Sequence, residues 1–285
     1  YALKDINLTI NPGEKIGIVG RTGAGKSSLS RAVFRLINRN TCEGSILIDG
    51  CDISSISTSD LRPQIGTIPQ ESTLFSGSFK QNLDPLLEYS IEDMWAALAK
   101  CNITEFVVPK RNRSTGSSSS KDDDDDEFQE QVKEEIAEWD QMWERSGWIG
   151  RLSLYLFVSK PKLEVRRNRK TKHGLDKGIG SHSNFSSGQQ QLFSLCRLLI
   201  RKRSIIVLDE ATADVDLETD QDMQKLFRSE FKDSTVLTIA HRLETIMGSD
   251  RIIVMDKGRV AEFGPPDDLI AQGGLFAELV KANDF

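Results

Sequence analysis

The feature that most constrains this chain is a glycine-rich stretch near its start that fits the pattern G-x-x-x-x-G-K-[ST]. Glycines allow such a loop to bend so that successive backbone N–H groups point at phosphate oxygens. The lysine of the pattern reaches the β- and γ-phosphates, and the next hydroxyl group ligates Mg²⁺. The pattern therefore predicts a phosphate-binding loop, the P-loop, formed by Gly20, Arg21, Thr22, Gly23, Ala24, Gly25, Lys26, Ser27 and Ser28.

The flanks of the loop have the patterns that a P-loop requires. Residues 15–19 form a short apolar run typical of a buried strand. A strand, a loop and a helix N-terminus together direct the positive end of the helix dipole at the phosphates. The alternative, a chance match of the pattern within a turn, does not account for these flanks. Apolar side chains follow the loop at helical spacing: Leu29, Ala32, Val33, Leu36 and Ile37.

The composition excludes several other classes of protein. No apolar run in the 285 residues approaches the length of ~18 residues that spans a bilayer, and no secretory signal is recognisable at the start. The formal net charge of −6 does not suggest a nucleic-acid partner. The four cysteines show no C-x-x-C pairing, so we expect reduced thiols in the cytosol, three of them as packing residues.

Further strand and helix patterns occupy the first hundred residues. Residues 3–10 alternate apolar and polar side chains, which predicts a half-buried strand. Residues 44–50 predict a strand that ends in a turn, and residues 64–69 predict another strand, which leads to Gln70. Residues 91–99 have helical spacing, with an apolar face formed by Met94, Trp95 and Leu98.

The composition changes abruptly in the middle of the chain. Residues 111–127 carry serine and aspartate runs, which predicts disorder. Residues 128–143 have apolar side chains every three or four positions, which fits either a docked amphipathic helix or a transient helix in a disordered insert. The basic run 166–172 either is a solvated face or pairs with the acidic run or with anionic lipid headgroups.

Regular patterns return from residue 184 onward. The apolar runs 205–208 and 236–239 predict buried strands, and residues 251–255 and 259–263 flank a sequence typical of a hairpin turn. A helix is predicted by the spacing of Leu192, Leu195, Cys196, Leu198 and Leu199. Strands that alternate with helices along the chain indicate an α/β fold with a largely parallel core sheet.

Acidic residues at the end of a buried strand supply the rest of a nucleotide site. A P-loop requires a second acid that holds Mg²⁺ through water and a base that positions the attacking water. Asp209 and Glu210 follow the strand 205–208, at the edge where ligands of open α/β sheets bind. We therefore assign Asp209 to the metal and Glu210 as the general base. His241 ends the next strand, where it either contacts the γ-phosphate or has a structural role.

Six motifs in a fixed order make the chain resemble the nucleotide-binding domain of ATP-binding cassette (ABC) transporters. The resemblance covers roughly residues 2–108 and 173–283. Walker A is the P-loop, the Q-loop contains Gln70, Walker B is 205–210 and the D-loop is 213–216. The signature sequence and the H-loop histidine correspond to Phe185, Ser186, Ser187, Gly188, Gln189 and His241.

Two stretches point to a subfamily. Residues 77–85 and 215–220 resemble the second nucleotide-binding domain of C-subfamily proteins, the multidrug-resistance-associated exporters and their relatives. The resemblance implies a P-loop NTPase core of RecA-like type, a small antiparallel β subdomain and an α-helical subdomain that holds the signature. The whole chain is then one domain, with expected boundaries of 1–71 and 190–285 for the core, 72–189 for the helical subdomain and about 109–172 for the insert.

The resemblance implies an ATP-hydrolysing domain that powers export by a membrane transporter from the cytosolic side. ATP and Mg²⁺ are bound between two such domains arranged head to tail, each nucleotide facing the signature of the other domain. The implied catalytic residues are Glu210, which activates water, His241, which senses the γ-phosphate, and Gln70. Ser27, Gln70 and Asp209 organise Mg²⁺. The expected partners are a second, different nucleotide-binding domain and transmembrane domains, with no nucleic acid and only indirect contact with the membrane.

Two other functions fit the same motifs. A regulatory module would bind ATP to gate a channel or receptor, as some C-subfamily relatives do. The presence of Glu210 favours hydrolysis, although some regulatory relatives keep this residue. A soluble ABC ATPase of DNA repair or translation would carry long coiled coils or tandem cassettes, and the sequence shows neither pattern.

The chain departs from the family pattern in four ways. Ser187 replaces a signature glycine whose missing side chain lets backbone approach a phosphate. Asp214 replaces the D-loop alanine and adds a charge at the expected dimer seam. The segment around 109–172 has no counterpart in the family pattern. The adenine-stacking aromatic residue of the family lies upstream of Tyr1, so we expect the chain to be an excised domain.

Overall fold

The structure, a computed structural model, describes most of the chain outside its middle segment. The described residues are 2–38, 41–70, 72–107, 175–176, 178–179, 185–209, 215, 217–240 and 242–283. The expectations for the acidic run, the amphipathic segment and the basic run within residues 111–172 lie outside these ranges, as do those for Tyr1 and Asp214.

Strands and helices alternate along the described chain. The strands are β1 (Lys15–Gly20), β2 (Leu47–Ile48), β3 (Cys51–Asp52), β4 (Ile65–Ile68), β5 (Gly77–Ser78), β6 (Gly178–Ile179), β7 (Ile205–Asp209), β8 (Thr235–Ile239), β9 (Arg251–Asp256) and β10 (Arg259–Gly264). The helices are α1 (Lys26–Val33), α2 (Thr58–Leu61), α3 (Phe79–Leu83), α4 (Ile91–Lys100), α5 (Thr104–Val107), α6 (Ser187–Arg201), α7 (Leu217–Glu230), α8 (Pro266–Gln272) and α9 (Leu275–Asn283).

A six-stranded sheet confirms the predicted α/β fold with a largely parallel core. Its strand order is β10-β9-β1-β8-β7-β4. All neighbouring strands are parallel except β9 and β10, which form the predicted antiparallel hairpin. The predicted strands within 64–69, 205–208 and 236–239 are therefore all confirmed, and each lies in this sheet.

Both faces of the sheet are covered, which explains why its strands are nearly continuous apolar runs. Ile253 and Met255 of β9 belong to one buried cluster, which also contains Ile16 and Ile18. The alternate residues of β9 belong to a second buried cluster, which includes Phe276 of α9. The sheet is thus a buried scaffold whose strand ends can hold functional loops in fixed positions.

Packing divides the chain into two compact units. The first unit is Tyr1–Ser72 with Arg201–Phe285, and the second unit is Thr73–Ile200. The first unit contains the six-stranded sheet and the antiparallel hairpin β2–β3. The second unit contains α3, α4, α5 and almost all of α6, together with the strand pair β5–β6.

The second unit is organised around aromatic side chains. The rings of Phe79 and Phe193 stack with centroids 5.4 Å apart. Phe185 meets both rings edge to face, at 6.1 Å and 5.6 Å. Such aromatic pairs contribute stabilisation beyond that of their buried area. The predicted helix 91–99 is confirmed as α4, and its expected apolar face is buried: Met94, Trp95 and Leu98.

Two strand predictions in the first unit are wrong in extent. Residues 3–10 form no strand, although their apolar side chains are half-buried against the core. The strand expected over 44–50 is limited to Leu47–Ile48, which pairs with Cys51–Asp52 across a turn with positive φ at Asp49 and Gly50. Alternation of apolar and polar side chains indicates that one side of a segment is buried. It does not indicate whether a second strand pairs with that segment.

The helix after the P-loop is shorter than its apolar spacing predicts. It ends at Val33, and Arg35 has a left-handed φ of 49°. The Arg35 guanidinium donates to the carbonyl of Ile53, and Arg62 donates to the carbonyl of Arg35. These tertiary hydrogen bonds hold the chain in a non-helical conformation, so Leu36 lies exposed beyond the helix end.

The cysteines depart from the expectation of three packing residues. All four are free thiols, of which Cys101 and Cys196 are buried and Cys42 and Cys51 are exposed. Burial raises the pKa of the Cys196 thiol well above its usual range. The two buried thiols lie in the second unit. The two exposed ones lie in and near the short β2–β3 hairpin, which has little core to bury them.

Candidate functional site

The P-loop connects the end of β1 to the start of α1. β1 ends at Gly20, and α1 begins at Lys26 with Gly25 as its N-cap residue. Gly25 has a φ of 110°, a conformation that L side chains rarely adopt. The strand, loop and helix expected around the motif are therefore all present. The first turn of α1 directs its N–H groups and the positive end of its dipole toward the loop.

Gly20 shows why the first glycine of the loop lacks a side chain. A Cβ atom on Gly20 would lie 2.3 Å from the carbonyl oxygen of Met255 on the neighbouring strand β9. Backbone atoms cannot yield at that distance, so any larger residue would push β1 and β9 apart. The loop can leave the sheet in this direction only because its first residue is glycine.

Lys26 lies inside the loop. The residue is only 7% exposed, and its Nζ atom donates to the carbonyl of Gly20 at 2.6 Å. A buried ammonium group held by carbonyl oxygens is a strong point charge at the centre of the loop. Ala24 is also buried, Arg21, Thr22, Gly23 and Ser27 are exposed, and Ser28 is half-buried. The loop therefore combines a fixed interior with an exposed outer rim.

The carboxyl ends of the parallel strands bring other predicted site residues to the edge where the P-loop leaves β1. Ile18 of β1 and Asp209 of β7 both lie level with Ile239 of β8. Ile68 of β4 lies level with Leu208, so Gln70 follows at the same edge. With two strand spacings between them, β1 and β7 are about 10 Å apart at this edge. Asp209 is half-buried and Gln70 is exposed.

The donor atoms at this edge suit Mg²⁺. Ser27, Gln70 and Asp209 offer a hydroxyl, an amide and a carboxylate oxygen, which are hard ligands. Within the described residues, no group of three or more His, Cys, Asp and Glu side chains gathers into a metal site. Mg²⁺ typically binds through one or two carboxylates together with water and substrate phosphates. A single carboxylate beside a phosphate-binding loop therefore fits this ion.

Three expected features of the site lie outside the described residues: Glu210, His241 and the D-loop acid Asp214. Their chain neighbours are described. Asp209 ends β7, and Ala240, which follows β8, is buried in the core.

The signature stretch begins helix α6. Ser186 and Gln189 form a reciprocal pair: the Ser186 hydroxyl accepts from the Gln189 N–H at 3.2 Å, and the Gln189 side chain accepts from the Ser186 N–H at 3.1 Å. Such a capping box fixes the start of a helix by satisfying two otherwise unpaired donors. Ser187 is exposed and Gly188 is half-buried in the first turn. The start of α6 is thus fixed, with its first N–H groups near solvent.

The shifted pKa values of the first unit lie at the opposite edge of the sheet from the P-loop. Burial lowers the pKa of Lys15 at the start of β1, where its Nζ atom donates to the carbonyls of Gly13 and Ser234. A hydrogen bond from Arg251 lowers the pKa of Glu14, and burial partly opposes that shift. These groups fasten the amino ends of the strands, which leaves the carboxyl edge for binding.

Sequence reasoning missed residues that support the loop and the signature helix. Met255 and Gly258, at and beyond the end of β9, contact the P-loop. In the second unit, Arg197 of α6 holds the segment that runs from Thr73 to Asn82. Gly258 stands in a recognisable turn sequence, yet nothing local indicates what that turn contacts. Arg197 stands in a helical apolar stripe, where it gives no separate signal.

Comparisons with known proteins agree with this geometry. The family model of the ABC transporter matches residues 3–213. The chain is 40% identical over 280 residues to ATP-binding cassette sub-family C member 3 of Mus musculus, covering 98% of this chain and 14% of that protein. It is also 40% identical over 278 residues to the Metal resistance protein YCF1 of Saccharomyces cerevisiae, covering 97% and 14%.

A solved structure matches as well. It is a bacterial Atm1-family ABC exporter with ATP bound, with a TM-score of 0.68 and 28% sequence identity, covering 96% of this chain and 37% of that chain. The chain therefore belongs to the ABC transporter family, and within that family it is an ATP-binding domain similar to sub-family C members.

The chain spans 14% of the length of these curated relatives. In the part that the structure describes, no helix has the length and apolar character needed to cross a bilayer.

Proposed function

We propose that this chain binds ATP with Mg²⁺ and hydrolyses it to power export by a membrane transporter. The observation that carries the proposal is that the P-loop, Asp209 and Gln70 lie at the carboxyl ends of parallel strands of one sheet. Phosphoryl transfer needs positioned donors, a cation and metal ligands more than covalent chemistry from the protein. The matched relatives add support, since one is named for metal resistance and another is an exporter with ATP bound.

Phosphate binding falls to the loop backbone and Lys26. The N–H groups of the loop and of the first turn of α1 donate to the phosphate oxygens. Lys26 exchanges its carbonyl partner for the β- and γ-phosphates. Its burial strengthens this interaction, because the charge acts in a medium of lower effective dielectric than water.

Ser27, Asp209 and Gln70 hold Mg²⁺ in this proposal. The bound ion neutralises charge that develops on the transferred phosphoryl group. Ser27 lies in the first turn of α1. Asp209 ends β7, which is separated from the P-loop strand β1 by β8. This separation suits an acid that acts on the ion through water, as expected for a P-loop enzyme.

Glu210 and His241 complete the proposed chemistry. Glu210 directly follows the metal-side acid, where it takes a proton from the attacking water. His241 follows β8, the strand between the P-loop strand and the Asp209 strand, where it senses the γ-phosphate. Gln70, which follows β4 at the same edge of the sheet, is the third residue of the proposed chemistry.

The signature residues act on the nucleotide of a partner in this proposal. Ser186, Ser187, Gly188 and Gln189 begin α6 with exposed or half-buried groups near its N-terminus, which favours negative charge. The partner is a second, different nucleotide-binding domain that closes head to tail with this one. Transmembrane domains of the same transporter couple closure to export on the cytosolic face of the membrane.

Replacing the general base tests the function. We expect Glu210→Gln in the full-length protein to keep ATP binding and to slow phosphate release by ~10²–10⁴, the usual contribution of general acid–base catalysis. Glu278→Gln, at an exposed position of α9, is the matched control and should not alter either quantity. Unchanged phosphate release by Glu210→Gln would refute the assigned chemistry.

A further inference from the structure

The end of β9 and the turn that follows it support the P-loop at both of its ends. At the start of the loop, Gly20 lies so close to β9 that a Cβ atom would be 2.3 Å from the carbonyl oxygen of Met255. At the end of the loop, the N–H of Gly258 donates to the carbonyl of Ala24 at 2.9 Å. A Cβ atom on Gly25 would lie 3.4 Å from the Cα of Gly258. The loop therefore rests on backbone that comes from a distant part of the chain.

Residues 2–5 lie against the same turn. The N–H of Lys4 donates to the carbonyl of Gly258 at 2.7 Å. A Cβ atom on Gly258 would lie 2.4 Å from the carbonyl oxygen of Ala2. The Asp5 carboxylate also pairs with the Arg259 guanidinium. Gly258 thus donates to the P-loop with its N–H and accepts from the start of the chain with its carbonyl.

The same segment touches the P-loop directly. A Cβ atom on Gly25 would lie 3.0 Å from Cδ2 of Leu3 and 3.2 Å from the carbonyl oxygen of Ala2. Leu3 is half-buried and packs against the core cluster that contains Ala24. The end of the loop, from which the first N–H groups of α1 point, is therefore held by both Leu3 and Gly258.

We propose that Gly258 and Leu3 are positioning residues for nucleotide binding, which hold the Ala24–Gly25 end of the P-loop in its phosphate-binding geometry. The proposal rests on ATP being the ligand of this loop. Phosphate is bound by several N–H groups at once, so a small displacement weakens all of these hydrogen bonds together. A misplacement of about 1 Å in such a constellation can cost about 10² in rate or affinity.

Two matched glycine substitutions separate positioning from backbone strain. Gly258 and Gly273 have similar left-handed φ angles of 80° and 69°, so alanine is strained at both positions. Only Gly258 has atoms in the way, since a Cβ on Gly273 meets nothing within 4 Å. In the full-length protein with Mg²⁺, we expect Gly258→Ala to weaken ATP binding about tenfold, or ~1.4 kcal/mol, and Gly273→Ala to leave it unchanged.

A leucine pair tests the same idea without changing any backbone conformation. Leu3 and Leu8 are both half-buried and both pack against the same core cluster. Leu3 additionally lies against the P-loop glycine Gly25, where it is among the nearest neighbours of a Cβ atom at that position. Both Leu3→Ala and Leu8→Ala should lower the unfolding midpoint by similar amounts. Only Leu3→Ala should also weaken ATP binding, by several-fold. This pair also covers the case in which Gly258→Ala fails to fold.

The readout is labelling of this chain by a photoreactive ATP analogue over a range of concentrations, with unfolding midpoints measured in parallel. Weaker labelling of Gly258→Ala and Leu3→Ala than of their controls supports the proposal. Equal labelling within each pair, with the parent protein labelled normally, overturns the positioning role alone. If the photoreactive ATP analogue does not label the parent protein, the assignment of ATP as the ligand is overturned instead.

Discussion

The two units hold their functional stretches by different means. In the first unit, the P-loop is held mainly by backbone: parallel ladders fix β1, and the N–H of Gly258 donates to the carbonyl of Ala24. In the second unit, the start of α6 is held by side chains, through the Ser186–Gln189 capping box and the packing of Phe185 against Phe79 and Phe193.

This difference determines which kind of substitution each unit tolerates. Backbone that packs on backbone leaves no room for a new side chain, so the first unit is damaged by additions, as at Gly20. A helix start held by side chains is damaged by truncation, because each lost group leaves a donor or acceptor without its partner. Lys26 is the exception in the first unit, since its side chain is itself the proposed phosphate-binding group.

The largest expected effect is the loss of that side chain. Lys26→Ala should weaken ATP binding by at least ~10², about 2.7 kcal/mol, because it removes the buried charge of the loop. The measurement is labelling of this chain by a photoreactive ATP analogue. Lys281→Ala, which removes an exposed lysine from α9, is the control. Equal ATP affinity in Lys26→Ala and the parent would show that the loop does not bind phosphate through this residue.

The next prediction concerns the second unit. The Arg197 guanidinium donates to the carbonyl of Asn82 at 2.7 Å and to that of Thr73 at 3.2 Å, and it lies 5.9 Å from the ring centroid of Phe75. Arg197→Ala should lower the free energy of unfolding by about 2–3 kcal/mol, because hydrogen bonds to a charged group are lost. The measurement is urea-induced unfolding.

The exposed Arg31 of α1 supplies the control for that experiment, since Arg31→Ala should leave the unfolding free energy within about 0.5 kcal/mol of the parent. If the comparison between the units holds, Arg197→Ala also leaves ATP labelling of the first unit unchanged. Equal stability of the two variants would contradict the role assigned to Arg197.

The smallest expected effect is a pH dependence in the first unit. A hydrogen bond from Arg251 lowers the pKa of Glu14, and bonds from Asn11 add to that shift. Because the folded-state pKa is lowered, the stabilisation is fully present above the unfolded pKa and is lost as pH falls through the folded pKa. Glu14→Gln should therefore flatten the fall in unfolding free energy below about pH 4.5.

At neutral pH the same substitution should cost less than about 1 kcal/mol, as is usual for ion pairs that water reaches. The exposed Glu244 provides the control, and Glu244→Gln should keep the acid dependence of the parent. An acid dependence of Glu14→Gln that matches the parent would show that Glu14 does not contribute to the loss of stability at low pH.

Sequence patterns predicted the parts of the site that are contiguous in the chain. The P-loop spans nine residues with a defined order, and Asp209 directly follows a buried apolar run. Parallel strands then bring their carboxyl ends together by topology, so the common edge follows from fold class alone. Asp209 could be assigned to the site from this topology, whereas Gln70 is identified only through the resemblance of residues 68–71 to the family's Q-loop.

The supports of the site could not be predicted in the same way. Gly258 meets Ala24 across more than two hundred residues, and no local pattern records such a contact. The end of α1 at Val33 depends on tertiary hydrogen bonds of Arg35, which donates to the carbonyl of Ile53 and accepts from Arg62. Local spacing shows where apolar side chains are buried, whereas tertiary hydrogen bonds decide where an element begins and ends.

Site-resolved nucleotide trapping in the assembled, full-length protein tests the central claim most directly. In the proposed function, the Walker side of this chain has its full set of residues, whereas Ser187 adds a side chain where the signature would approach the partner's nucleotide. We predict that ATP on this P-loop is converted to ADP and that ATP facing Ser187 persists. Ser187→Gly should speed turnover chiefly at the partner's site, if that site has its own base. Equal hydrolysis at both sites in the parent, or a symmetric homodimer as the functional state, would contradict it.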